Sequence, residues 1–527
     1  MDVDELDLPT DFEVIVVGTG LVESIVAAAC SRIGKNVLHL DSRDHYGGLW
    51  ASHNFDFLQK FIKEVTTDPS RQVQVYNLSE KWYIPKESPQ EEKQEGEDGK
   101  TEEGKDPAKK VWSQADFATE YRKFNIDMTP KLLFSRGPLV ELLISSNIAR
   151  YAEFRCVTRV LTWLNDKLMP VPCSRADVFA TEAVSIVEKR MLMKMLTSIV
   201  GYNEEEMDNE FKDWNDKTFQ EYLMHKGLTP NLIHYVLYAI AGGTNSMPCL
   251  EGVRECKKFL MSLGRYGNTP FLWPMYGSGE LPQCFCRLCA VFGGVYCLNR
   301  PIDSVEYKTV DDKKVVVIGS KSKTLNCEHL VLGINEGPKD LLSQEPADSS
   351  DISRAIFITN GTIMPSEKEP LTLLRFPPLT EDNNAVTVLE VGPATGSCPK
   401  GLFVVYFITN KVTDAESDLM PYAEKIFDMS GGDQTETSDK PKCLWSLFYN
   451  VKDTCASVKD GVDNVHVCAG PDAGLDFDRA VHQAEQIFKQ ICPGQEFLPR
   501  APDPEEIVFE DDAAPGPEFR DDEPEKE

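Results

Sequence analysis

Between Val14 and Asp41 the chain sets out two glycines and two carboxylates at the spacing of a dinucleotide-binding turn. The apolar run Val14-Ile15-Val16-Val17 leads into Gly18-Thr19-Gly20-Leu21-Val22-Glu23, and Val37-Leu38-His39-Leu40 ends at Asp41. In a working turn of this kind the glycines let the backbone approach a pyrophosphate at a helix N-terminus, and a later carboxylate binds the ribose. Here Glu23 stands in the third-glycine position. A carboxylate in the first helical turn suits the helix dipole, yet it competes with and repels a bound phosphate. The segment is therefore expected to keep its strand, turn, helix, strand shape and to hold neither flavin nor nicotinamide. Asp41 then closes a strand rather than binding a ribose.

A second set of residues with chemical potential is Cys284-x-Cys286-x-x-Cys289, with Cys297 beyond. Zinc would need four ligands converging from a compact knuckle. Leu281, Phe285, Leu288, Cys289 and Phe292 instead fall on one helix face, and Gly293-Gly294 ends that helix, so these are expected to be core thiols with no metal. No nucleophile elbow, zinc-protease helix or phosphate-loop lysine occurs, and eight histidines show no clustering.

The elements that must position these residues are legible from periodicity. Residues from about Arg175 to Leu263 carry helical patterns, at 182–199, 219–225, 231–241 and 252–263, with little strand signal. Strand-rich segments flank them, including 314–318 and 328–334, and 465–470 followed by a helical 480–491 repeats the strand, glycine, helix theme. A strand-rich body interrupted by a helical insertion follows.

At 527 residues, 41% of them hydrophobic, the chain can bury more than one core. Its formal charge of -30 argues against nucleic acid and against non-specific binding to anionic lipid. Residues 87–110 and the tail 503–527 are too polar to bury anything and are expected to be disordered. Fifteen scattered cysteines fit reduced thiols, and with no secretory leader or membrane span expected, the reading is cytoplasmic.

Two long segments then carry a resemblance. Asp41-Ser42-Arg43-Asp44-His45-Tyr46-Gly47-Gly48, together with Arg265-Tyr266-Gly267-Asn268-Thr269-Pro270-Phe271-Leu272 running through Pro274-Met275-Tyr276-Gly277-Ser278-Gly279-Glu280-Leu281-Pro282-Gln283, resembles the Rab GDP-dissociation inhibitor and Rab escort protein superfamily. Leu49-Trp50-Ala51-Ser52, the acidic insert, Phe124-Asn125-Ile126-Asp127 and residues 145–154 and 465–475 are similar to the escort branch. The resemblance implies an α/β, flavoprotein-like discontinuous domain (1–172 and 264–502) with an inserted all-helical domain (173–263).

It also implies a non-catalytic component of Rab geranylgeranyltransferase. Such a component binds GDP-bound Rab GTPases, unprenylated and prenylated, presents them to the catalytic heterodimer, shields the geranylgeranyl lipid and associates transiently with membranes. By the same resemblance Tyr46, Arg265, Tyr276, Glu280 and Arg287 form the Rab-binding platform. The transferase docks on the helical domain, where Ser198 replaces an aromatic anchor, and Met195 and Ile199 are expected to supply an apolar patch. A dissociation inhibitor and a flavin-dependent oxidoreductase are the alternatives.

Overall fold

The computed structural model describes residues 8–67, 74–87, 110–180, 185–203, 210–310, 313–334, 336–337, 351–380, 383–430, 439–455 and 464–500. The expected disorder of the acidic insert, but for its end residues 87 and 110, and of the tail falls outside the described residues. Among the helices, α1 (Leu21–Arg32), α2 (Ile186–Val200), α3 (Cys249–Ser262), α4 (Glu280–Val291) and α5 (Asp478–Ile491) position the functional side chains.

The glycine-turn segment folds as β1 (Asp11–Val17), α1 and β2 (Val37–Leu40). β1 lies between β2 and Lys323–Gly333, parallel to both, and Val295–Cys297 extends the sheet parallel to β2. The far side of Lys323–Gly333 is shared by the antiparallel hairpin Ser304–Val310 and Lys313–Ser320 and by the parallel strand Val465–Cys468. Strands covered on both faces need continuous apolar side chains, which is why β1 and β2 carry runs rather than alternation. On one face α1 packs between α4 and α5, burying Ile25, Val26, Phe285, Leu288, Ala484 and Phe488 in a single core.

A second sheet of eight strands runs in the order Val75–Trp82, Cys443–Val451, Ile352–Thr359, Phe403–Asn410, Val386–Val391, Thr372–Phe376, Arg159–Leu164 and Lys167–Pro170. One of its faces is filled by Ile356, Tyr406, Trp445, Leu447 and Tyr449, packed with Trp273. Two short sheets bridge the layers: Leu133–Phe134, Phe271–Pro274 and Phe154–Cys156 form one, and Ser52–His53 with Ile126–Asp127 the other.

From 185 to 263 the described residues form helices and turns, with no strand beyond an isolated bridge between Thr218 and Pro248. α2 starts at a capping box, in which Glu188 N–H donates to Ser185 Oγ at 3.3 Å and Ser185 N–H to Glu188 Oε2 at 2.8 Å. That reciprocal cap, worth about 1 kcal/mol, sets a start four residues later than the periodicity of 182–199 suggests. Pro230–His234 continues into a π-helical turn at Tyr235–Ile240, and His234 shares a hydrogen bond with Thr162 Oγ1 of the second sheet at 2.9 Å. Lys258 of α3 donates to Asp476 just before α5 at 2.7 Å, so the helical segment is tied to both layers.

Candidate protein-binding platform

The glycine turn is built and then closed. Gly18 has φ +100 and its carbonyl meets His39 Nε2 at 2.5 Å. Burial pushes His39 down to about 4. The neutral ring donates from Nε2 and accepts from Tyr296 Oη at Nδ1, 2.9 Å away. Glu23 folds back over the turn: a Cβ added to Gly20 would lie 2.5 Å from Glu23 Oε2, and one on Gly333 2.5 Å from Oε1. Arg43, ion-paired with Glu336, covers the same place, and about 40 Å³ of space remains. Burial pushes the Glu23 carboxyl up to about 8, with Glu336 and Asp41 adding to the shift. Asp41 accepts from Thr19 N at 2.9 Å, Thr19 Oγ1 at 2.6 Å and Arg43 N at 2.8 Å, so its oxygens are engaged within the turn. These residues do not fit a dinucleotide, because the pyrophosphate would need the volume that the Glu23 carboxyl fills at the start of α1.

The cysteine cluster forms part of the α1/α4 packing. Cys286 lies 3.2 Å from Ser24 Oγ, Cys289 2.9 Å from Ser31 Oγ, and Cys284 donates to the Tyr151 carbonyl at 3.5 Å. The sulfurs point at three different partners, and burial pushes Cys284 up to about 11 and Cys286 up to about 12. Among the described residues no group of three or more His, Cys, Asp or Glu could hold a metal ion.

The opposite side of α4 is open. Tyr46, Tyr151, Glu280, Gln283, Arg287 and Tyr296 line a groove of about 350 Å³. Arg287 is exposed, its guanidinium 4.6 Å from the centre of the Tyr151 ring, a cation–π contact that leaves its donors free for a partner. Glu280 is half-buried in the first turn of α4, and burial raises its pKa. The groove therefore offers one cation and one reluctant anion on a rigid helix, faced by three tyrosines from the turn after β2, the turn Ile148–Tyr151 and the strand Val295–Cys297. That composition suits recognition of polar side chains on a protein surface.

Tyr276 stands beside this groove, on the turn leading into α4. It is 50% exposed and holds φ +66, a conformation rare for an aromatic residue, with its ring over Gly396 and its N–H donating to the Thr395 carbonyl at 2.8 Å. Arg265 stands apart from the groove: its Nη1 donates to the Ser135 carbonyl at 2.7 Å and pairs with Glu141. Thus three of the five expected platform residues share one cavity, a fourth adjoins it, and the fifth is held by its own chain.

The expected docking patch on α2 requires correction. Met195 is 4% exposed and Ile199 0%, because with Leu192 they form the stripe at i, i+3 and i+7 that packs into the helical core. Ser198 is half-buried beside the Tyr222 hydroxyl. The neighbouring face of α2 presents Met193, Leu196 and Val200 to an open apolar cavity of about 300 Å³, lined also by Ile240 and Leu260. The exposed aliphatics of α2 are at its ends, Ile186, Val187 and Val200.

Against known families, a model described as GDP dissociation inhibitor matches residues 8–84 and 109–499. The chain belongs to the GDP dissociation inhibitor family. Relatives in this family include rat Rab proteins geranylgeranyltransferase component A 1, 35% identical over 96% of this chain and 95% of the rat protein. The Drosophila melanogaster component A is 36% identical over 96% of this chain and 93% of its own length. A Rab GDP-dissociation inhibitor from Saccharomyces cerevisiae is 28% identical over 88% and 96%. Among solved structures, Rab GDI from Plasmodium falciparum superposes with a TM-score of 0.65 at 20% identity, covering 92% of this chain and 99% of that one. An oxidoreductase from Methanosarcina mazei does so with 0.53 at 11% identity, covering 90% and 100%. The fold is thus the family's flavoprotein-like α/β architecture.

Sequence reasoning missed what supports the platform. Asp127 Oδ2 accepts from Ser278 N at 2.8 Å, and its Oδ1 from Ser52 Oγ at 2.5 Å. His39 joins the glycine turn to Tyr296 in the groove wall. A hint was present in the spacing Gly277-x-Gly279, since a turn so rich in glycine signals something pressed against it.

Proposed function

We propose that this chain is a non-catalytic escort component for Rab geranylgeranylation. It binds GDP-bound Rab on the α4 platform, presents the Rab C-terminus to a separate catalytic heterodimer, and carries the lipidated product from the cytosol to a membrane. One observation carries the reading: an open groove with Glu280 and Arg287 on a rigid helix and Tyr46 from the turn after β2 coexists with a glycine turn closed by the chain's own Glu23. The names of the component A relatives support it. Recognition of the GTPase body by such a groove leaves its tail free, at high effective concentration near the transferase.

The lipid would lie in the apolar cavity beside α2, where Met193, Leu196, Val200 and Leu260 offer an apolar lining. Each methylene buried there is worth about 0.8 kcal/mol, which favours shielding over aggregation. Among the described residues no helix is long and apolar enough to cross a membrane, in keeping with delivery by a shuttling carrier.

The test is prenylation of a Rab by the purified transferase heterodimer and its lipid donor, with and without this chain. Product that accumulates only when the chain is present supports the proposal, and equal rates in its absence overturn it. The 28% match to the yeast inhibitor favours a second reading, in which the chain retrieves lipidated Rab instead. Extraction of prenylated Rab from membranes without support of prenylation is its signature.

A further inference from the structure

The turn at 276–280 leaves a short strand at Pro274 and starts α4 at Glu280, with Gly279 as a cap that has no side chain to satisfy the first helical amides. Those amides turn to the loop's own carbonyls, Glu280 N–H to Gly277 at 3.4 Å and Leu281 N–H to Ser278 at 3.2 Å, and the two amides ahead of them need acceptors from elsewhere. Asp127 Oδ2 takes the Ser278 N–H at 2.8 Å, and Ser52 Oγ takes the Gly279 N–H at 3.0 Å while donating to Asp127 Oδ1 at 2.5 Å. The carboxylate is itself fixed. Its backbone N–H donates to Tyr406 Oη at 3.1 Å, and Asp127 pairs with Ser52 in the two-stranded sheet. No slack remains, since a Cβ on Gly277 would lie 2.4 Å from Asp127 Oδ1 and one on Gly279 2.4 Å from the Ser52 nitrogen.

We propose that Asp127 is a positioning residue of the platform: its carboxylate holds the 276–280 turn in the shape that presents Tyr276 and Glu280 to the partner. The partner's identity rests on the escort reading, whereas the positioning rests on the hydrogen bonds alone. The groups that face Asp127 are Glu280 of α4 and the buried hydroxyls of Tyr406 and Tyr449 from the second sheet, none of them a cation. Burial therefore pushes the carboxyl up to about 6, with Glu280 adding to the shift. It is ionised at neutral pH, and in acid it gains a proton that conflicts with one of its two donors. Protonation of this carboxyl favours the folded state, because its folded pKa lies above its ordinary value, so the stability it governs rises as pH falls while the turn loses an acceptor. Binding and stability are thus expected to respond to acid in opposite directions, which a merely structural carboxylate would not do.

The experiment measures affinity for GDP-bound Rab from pH 8 to 5, together with amide exchange protection at Ser278 and Gly279 in the free chain. Wild type should lose roughly tenfold in affinity between pH 7 and 5, matching the fall in the ionised fraction. Asp127→Asn should bind roughly tenfold more weakly at pH 7, show no further step near pH 6, and lose protection at Ser278. Glu280→Gln should retain the step. Wild-type affinity at pH 7 in Asp127→Asn, or a flat wild-type curve through pH 6, overturns the role in binding. Should the asparagine variant not fold, Ser52→Ala takes its place: protection falls at Gly279, persists at Ser278, and the pH step remains. If no Rab binds at any pH while protection changes as stated, the escort reading fails and the positioning stands. Unchanged protection overturns the positioning.

Discussion

Replacing Glu23 with glutamine should stabilise the chain by an amount that grows with pH. The folded carboxyl titrates at about 8, raised chiefly by burial from an ordinary value of 4.5. Because the folded value is the higher one, the folded state keeps a proton that the unfolded chain has released. The stability this proton contributes is complete below pH 4.5 and is lost as pH rises through 8. At about 1.4 kcal/mol per pH unit, wild type loses roughly 3 kcal/mol between pH 4.5 and 7, and roughly 4 kcal/mol by pH 8. Glutamine has nearly the same shape and no proton to lose, so it keeps the turn filled without that slope. Guanidinium unfolding of both proteins from pH 5 to 9 should give nearly equal stabilities at the acid end and a gap of about 3 kcal/mol at pH 7. Parallel profiles, or a glutamine variant that is less stable at pH 7 to 8, would refute the buried neutral acid. Glu23→Gln should also remain unable to take up flavin dinucleotide, since the amide occupies the same space.

Arg287→Ala and Glu280→Ala should each weaken binding of GDP-bound Rab by more than tenfold, as loss of an interfacial charge pair costs about 2 to 5 kcal/mol. Calorimetric titration should show that loss with little change in thermal midpoint, and a matching drop in both would count against the platform. Met195→Ala and Ile199→Ala should instead cost about 2 to 5 kcal/mol of stability, because both side chains are in the helical core. Selective loss of transferase affinity at an unchanged thermal midpoint would contradict that placement.

How much of the candidate site was legible depends on how local each feature is. The run Val14 to Val17, the glycine turn and the apolar strand after it could be read directly, because they are consecutive and their period is that of the elements they form. Residues 219–225 have helical spacing and are a helix over those same residues, while α2 begins where Ser185 and Glu188 cap it rather than where its apolar pattern starts. The side that a helix turns inward is less local. The spacing of Met195 and Ile199 marked them as one stripe, but whether that stripe meets solvent or α3 depends on an element more than fifty residues later.

Sequence alone therefore determined the strand, turn, helix, strand unit at 14–41, the replacement of a phosphate-binding glycine by Glu23, and the helix that carries Glu280 and Arg287. These follow from residue type, spacing and periodicity, which act over one or two turns of chain. Only the tertiary structure decided that Glu23 is a buried, neutral plug, that Tyr46, Tyr151 and Tyr296 meet at one groove, and that Arg265 is held by Glu141. It also decided that Asp127 and Ser52 brace the turn at 276–280. Burial, protonation state and hydrogen-bond partner are properties of what packs around a group, and here those neighbours come from strands and helices hundreds of residues apart.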